Sequence, residues 1–366
     1  MTILQKYAQL LVNYCLELQK NETLFIQTTI LAEPLVNEVF RAATQAGAFV
    51  EINFQLDGQE TITLDEGNVQ QLQYISPFYK QAIETFDAYL HIRAPYQNQN
   101  SANTTDTRKQ LRNEAFAAVN KTYFERIATR SLKRCLCQYP TLAAAELANM
   151  TCSEYENFVF NACNLYDENP YEKWLAVRVF QQQIVDFLHT KNTIRYVGNG
   201  TDISFKTDGR TWVNSDGRNN MPSGEVFTSP VEDSVNGVVH FSYPAILLGE
   251  EIEGVTLFVK DGYIEKWDAK IGKPALDRVF AIAGTRRFGE AAIGTNYNIR
   301  QCTKNILFDE KIGGTIHMAI GQSYLQCGGK NESAIHYDLI TDMTNGGSIY
   351  ANDELIYENG NFLFIN

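Results

Sequence analysis

Apolar positions recur at helical spacing from the first residues: Tyr7, Leu10, Leu11, Tyr14, Cys15 and Leu18 fall on one face of a helix expected over residues 3–20. Thr23-Leu24-Phe25-Ile26-Gln27-Thr28 has the content of a strand, residues 33–46 return to helical spacing and stop at Gly47, and Phe49–Phe54 forms the next strand. A strand, a helix and a strand in that order predict a parallel pair joined by a right-handed crossover. Residues 88–94 read as a further strand broken by Pro95, residues 107–132 as a long helix, and residues 136–139 as a short strand ended by Pro140. Residues 150–188 are largely helical in pattern. The expectation is a small doubly wound α/β domain.

The pattern changes near residue 190. Ile194-Arg195-Tyr196-Val197 and Ile203-Ser204-Phe205-Lys206-Thr207 flank a Gly-Asn-Gly-Thr turn and predict a hairpin. Of the 24 glycines, only Gly47, Gly58 and Gly67 precede residue 198. Short strands over residues 255–260 and 262–267 and a helix over 274–283 follow. The fold class expected is therefore α/β in two domains: an N-terminal doubly wound scaffold and cleft wall over 1–190, and a C-terminal α+β domain over 191–366 that carries the chemistry.

A length of 366 residues agrees with two domains. With 44% apolar and 20% charged residues the chain is globular. A net charge of −12 argues against binding a phosphate backbone, so no nucleic-acid partner is expected. No run is apolar enough to span a membrane, and residues 1–20 lack the basic-then-apolar order of a leader. The seven cysteines form no Cys-x-x-Cys pair, which suits buried thiols in a reducing, cytoplasmic setting.

The candidate chemistry lies in the C-terminal half. The first strand is followed by no Gly-x-Gly-x-x-Gly and the chain has no Walker lysine, so the N-terminal domain lacks a nucleotide fingerprint. His91 reads there as a core or rim histidine. The run Asp309-Glu310-Lys311-Ile312-Gly313-Gly314-Thr315-Ile316-His317 predicts a turn feeding a buried strand, continued to Tyr324. His336 and Asp338, two apart in another apolar segment, share one face of a strand. Glu225 stands on a loop stiffened by Pro222, Gly224 and Pro230; a solvated glutamate on a turn is the bland alternative. Glu290 lies among small and apolar residues and needs a cation, which Arg286 or Arg287 could supply in a purely structural role. Together, three Glu, two His, one Asp and one Tyr form the kind of oxygen-and-nitrogen donor set that two divalent ions sharing a carboxylate require. The absence of His-Glu-x-x-His and Gly-x-Ser-x-Gly argues against a common single-zinc protease and a serine hydrolase.

Four blocks in series, Asn220-Met221-Pro222-Ser223-Gly224-Glu225-Val226-Phe227-Thr228-Ser229-Pro230, Gly289-Glu290 followed by Ile293-Gly294-Thr295-Asn296, the run from Asp309 to Tyr324, and His336-Tyr337-Asp338, resemble the thermophilic-metalloprotease family of metal-dependent aminopeptidases, the aminopeptidase T and aminopeptidase S type. The resemblance implies removal of N-terminal residues from short peptides. It also implies two divalent ions, cobalt or zinc with manganese or magnesium tolerated, and a homodimer. Carried over block by block, Glu225, Glu290, Glu310, His317, His336 and Asp338 take the metal-binding positions, and Glu290 and Tyr324 the catalytic ones. The chain departs from the family at Lys311, which stands where an asparagine is expected, and in a longer gap before His317. An amidase or dipeptidase on a similar bimetal site, or a non-catalytic peptide-binding protein of the same fold, are the other readings.

Overall fold

A computed structural model describes residues 1–97 and 106–365. It divides into two compact units, residues 1–171 with 217–222 and residues 172–216 with 223–366.

The first unit is built on a five-stranded, wholly parallel sheet. Its order across the sheet is Phe49–Gln55, Thr23–Thr29, Ala88–Arg93, Lys133–Gln138 and Asn220–Met221. The first helix is capped by a reciprocal Thr2–Gln5 pair and runs over Ile3–Gln9, continuing as a wider turn over Leu10–Cys15. It ends short of the expected residue 20, but all six apolar positions that predicted it are buried, Leu18 included. Helix Glu33–Gln45 follows the strand at Thr23–Thr29 and stops before Gly47, whose φ of +82° suits a glycine. The long helix covers Asp106–Ala128. Two helices after residue 58 left no clear apolar stripe in the sequence, since Gln59–Glu66 has no buried residue and Val69–Leu72 buries Leu72 alone; a third, Pro77–Thr85, buries Ala82 and Ile83 and was not read from the sequence.

The second unit is antiparallel. An eight-stranded sheet includes the expected hairpin, Thr193–Gly198 with Thr201–Lys206. A five-stranded sheet has the order His336–Asp342, Thr315–Gly321, Phe288–Gly294, Glu225–Thr228, Val213–Ser215. One continuous core joins them, with Ile203, Phe205 and Val239 packed in the same cluster as Val226, Ile293, Ile316, Met318 and Leu339. The fold class is thus α/β, with a parallel doubly wound sheet in one unit and antiparallel sheets with few helices in the other. Among the described residues no helix is long and apolar enough to cross a membrane. None of the seven cysteines is joined in a disulfide.

Candidate metal centre

The five-stranded sheet of the second unit has two unlike faces. Strand residues alternate sides, and the register sets Glu225 opposite Gly294, His317 opposite Ala292, Glu290 and Asp338 opposite Ala319, and His336 opposite Gly321. All five candidate side chains therefore rise from one face, separated by alanine and glycine. Val226, Ala291, Ile293, Ile316, Met318, Ile320 and Leu339 occupy the other face and enter the core. The small residues leave the volume above the sheet to carboxylates and imidazoles.

Local structure fixes each group. Glu225 does not lie on a solvated turn: it opens the fully buried strand Glu225–Thr228 and is itself buried. Gly224 before it has a φ of +122°, and a Cβ there would come within 2.7 Å of Asn296 Cβ, so only glycine fits. The wholly buried Gln181 amide ties this edge together, donating to Asn214 Oδ1, Ser215 O and Glu225 O. Thr295 Oγ1 donates in turn to the Gln181 side-chain oxygen. Gln181 was not singled out in the sequence because one glutamine on a helix carries no pattern. Glu290 is in mid-strand, 3% exposed. Its cation is not an arginine: Arg286 donates to the Ile264 carbonyl and Arg287 to the Glu232 carbonyl.

Two groups of three result, sharing one residue: Glu225, Glu290 and His317, and Glu290, His336 and Asp338. His317 Nε2 lies 3.4 Å from Glu225 Oε2 and 3.8 Å from Glu290 Oε1. His336 Nε2 lies 3.0 Å from Glu290 Oε2 and 3.6 Å from Asp338 Oδ1. Despite these approaches, Glu225 Oε2, both nitrogens of His317, His336 Nε2 and Asp338 Oδ1 are buried without a hydrogen bond. On the outer side, His336 Nδ1 is 2.7 Å from the Gln322 carbonyl oxygen. That oxygen can only accept, so Nδ1 carries a proton and it is Nε2 that is turned to the site.

The electrostatics follow from the crowding of carboxylates. Burial alone would discharge His317, yet Glu290, Glu225 and Asp338 outweigh it and raise its pKa to about 9. His336 moves in the same direction, Asp338 and Glu290 prevailing over burial. Asp338 is held well below the usual carboxylate range: burial opposes this, and His336, His317 and Lys311 override it.

Glu310 and Tyr324 complete the expected set. Glu310 follows the short helix Ile306–Asp309, belongs to neither group of three, and contacts the ammonium of Lys311. Lys311 Nζ also lies 3.5 Å from Glu225 Oε1, and the residue is 0% exposed. Burial works against the charged form of Lys311, but Glu225 and Glu310 hold it protonated. This buried cation was not foreseen, since a lysine beside two acids on a turn reads as solvated. The Tyr324 ring stands 4.8 Å from the His336 ring and 5.2 Å from Phe227, measured between centroids, and the residue remains 38% exposed. Burial and the facing carboxylates of Glu290 and Asp338 push its phenol well above its ordinary pKa, so it stays a donor at neutral pH.

Comparisons with known proteins bear on the family of the chain and on its fold. Aminopeptidase 2 of Geobacillus stearothermophilus is 26% identical, over 99% of this chain and 98% of its own length. Aminopeptidase AmpS of Bacillus subtilis is 26% identical over the same shares of the two chains. The solved structure of wild-type AmpT from Thermus thermophilus shares the fold with a TM-score of 0.85, at 21% identity and over 99% of each chain. The thermophilic metalloprotease (M29) description matches residues 1–362, and the chain belongs to that family of peptide hydrolases.

Proposed function

We propose that the chain is an aminopeptidase that removes N-terminal residues from short peptides with the help of two divalent cations. Glu225, Glu290 and His317 would hold one cation, Glu290, His336 and Asp338 the other, and Glu290 would bridge them. A single observation carries the reading: buried polar atoms of Glu225, His317, His336 and Asp338 converge with no hydrogen bond to satisfy them. Left so, each costs roughly 1–3 kcal/mol. Convergence of several unsatisfied carboxylate and imidazole groups is what a cation site presents, and oxygen and imidazole-nitrogen ligands without thiolate suit cobalt, zinc, manganese or magnesium.

Two such cations, when bound, supply an activated water, polarise the scissile carbonyl and anchor the substrate's free amine. The chain's own residues do the rest. Glu290, common to both groups, takes the proton of the attacking water and delivers it to the leaving amine. Tyr324 donates to the oxygen on which charge develops. The Gln322 carbonyl keeps the His336 ring turned so that Nε2 faces the site. The aminopeptidase names of the similar proteins support an aminopeptidase over the amidase and dipeptidase readings. A homodimer accompanies the proposal on the strength of the family pattern, and a cytoplasmic setting on the absence of any disulfide among the described residues.

The test is a panel of aminoacyl chromophores with free and blocked N-termini, assayed after chelation and after adding back cobalt, zinc, manganese or magnesium. Cleavage confined to free amines, lost on chelation and restored by at least one ion, is expected. Equal cleavage of blocked substrates would favour an amidase instead.

A further inference from the structure

We infer that Lys311 is a built-in cation of this site that makes the two metal positions unequal: it takes Glu310 as its own partner and weakens the cation at Glu225, Glu290 and His317. The inference rests on the two-cation reading above and deepens it.

An ammonium that is 0% exposed must be balanced by counter-ions inside the protein. Lys311 has two, the Glu310 carboxylate in direct contact and Glu225 Oε1 at 3.5 Å. Glu225 is thereby divided, one oxygen toward the ammonium and the other 3.4 Å from His317 Nε2. A divalent ion among Glu225 Oε2, Glu290 and His317 must share that carboxylate with a positive charge already in place. Mutual repulsion across one carboxylate in a buried site lowers affinity by roughly tenfold or more. The other group, Glu290, His336 and Asp338, has no Lys311 contact within ion-pair distance among the described residues, although the ammonium's field reaches Asp338. Its carboxylates remain available to a cation. The same arrangement explains why Glu310, a carboxylate at the edge of the site, is in neither group of three: it neutralises the lysine.

Lys311 is thus a positioning residue that sets metal loading without touching substrate. The test is calorimetric titration of metal-free protein with zinc alone, checked by cobalt absorption spectra. Wild-type protein should bind one tight equivalent and a second at least tenfold weaker. Lys311→Met leaves two carboxylates unpaired, so the paired variant K311M/E310Q is made alongside it, with circular dichroism to verify the fold. Either variant, if folded, should tighten the second equivalent and narrow the gap to less than about threefold. E310Q alone should leave the tight equivalent unchanged. Two equal equivalents in wild type, an unaltered gap in K311M/E310Q, or loss of the tight equivalent in E310Q would each overturn the inference. Two equal ions on an active peptidase would overturn it alone. Folded wild-type protein that binds no zinc or cobalt would overturn the two-cation reading with it.

Discussion

Two strand histidines, one in each unit, experience opposite chemistry. His91 stands on the parallel strand Ala88–Arg93, where burial first and then the charges of Arg93 and Arg134 lower its pKa to about 4. His317 stands on the antiparallel strand Thr315–Gly321, where burial pulls the same way but Glu290, Glu225 and Asp338 win and raise it to about 9. Burial alone therefore says little about what a strand histidine does. The charges on neighbouring strands decide, and those neighbours come from distant parts of the chain.

The contrast can be broken most directly at the carboxylate-rich end. His317→Asn and His336→Ala should each lower kcat/KM by roughly 1,000-fold or more, with loss of bound metal measured by elemental analysis. His91→Asn should leave both near wild type at pH 7.5. Equal losses in all three would erase the distinction between the two units. The next largest effect separates holding a cation from donating a proton. Tyr324→Phe should lower kcat by about 100-fold while metal content stays unchanged, since only an oxyanion donor is removed. Smaller, and confined to stability, is the acid response of His91. Its folded pKa of about 4 lies below the unfolded value of about 6.5. Between those values the unfolded chain binds the extra proton, so this stability is complete above pH 6.5 and is lost as pH falls toward 4. Denaturant melts from pH 7 to 4.5 should show a loss of about 2 kcal/mol from this residue, and His91→Asn should flatten the slope by that amount.

The two units also differed in how openly their sequences announced them. Helix Glu33–Gln45 and its flanking strands could be read because each element carried its own period and its own stop, Gly47 for the helix. In the second unit, strands Phe288–Gly294 and Thr315–Gly321 read as unbroken small-apolar runs, since the face opposite the core is lined with Ala292, Ala319, Gly294 and Gly321. That runs of this kind flank single charged residues was visible; that the residues share a face depended on register. Glu225 shows the limit most plainly. Pro222, Gly224 and Pro230 suggested a rigid loop, whereas pairing with Phe288–Gly294 turned the segment after Gly224 into a buried strand.

By itself the sequence determined which donor types are at hand, because carboxylates, imidazoles and one phenol in four ordered blocks carry their chemistry wherever they lie. It determined the strand–helix–strand segment from Thr23 to Gln55 of the first unit as well, since helix and strand periods are local properties. Tertiary structure alone decided which of the acids face one another, that Glu290 is common to both groups, and that Lys311 is enclosed beside Glu225 and Glu310. Those outcomes depend on strand register and on charges brought together across long separations, and neither is encoded in any short stretch of residues.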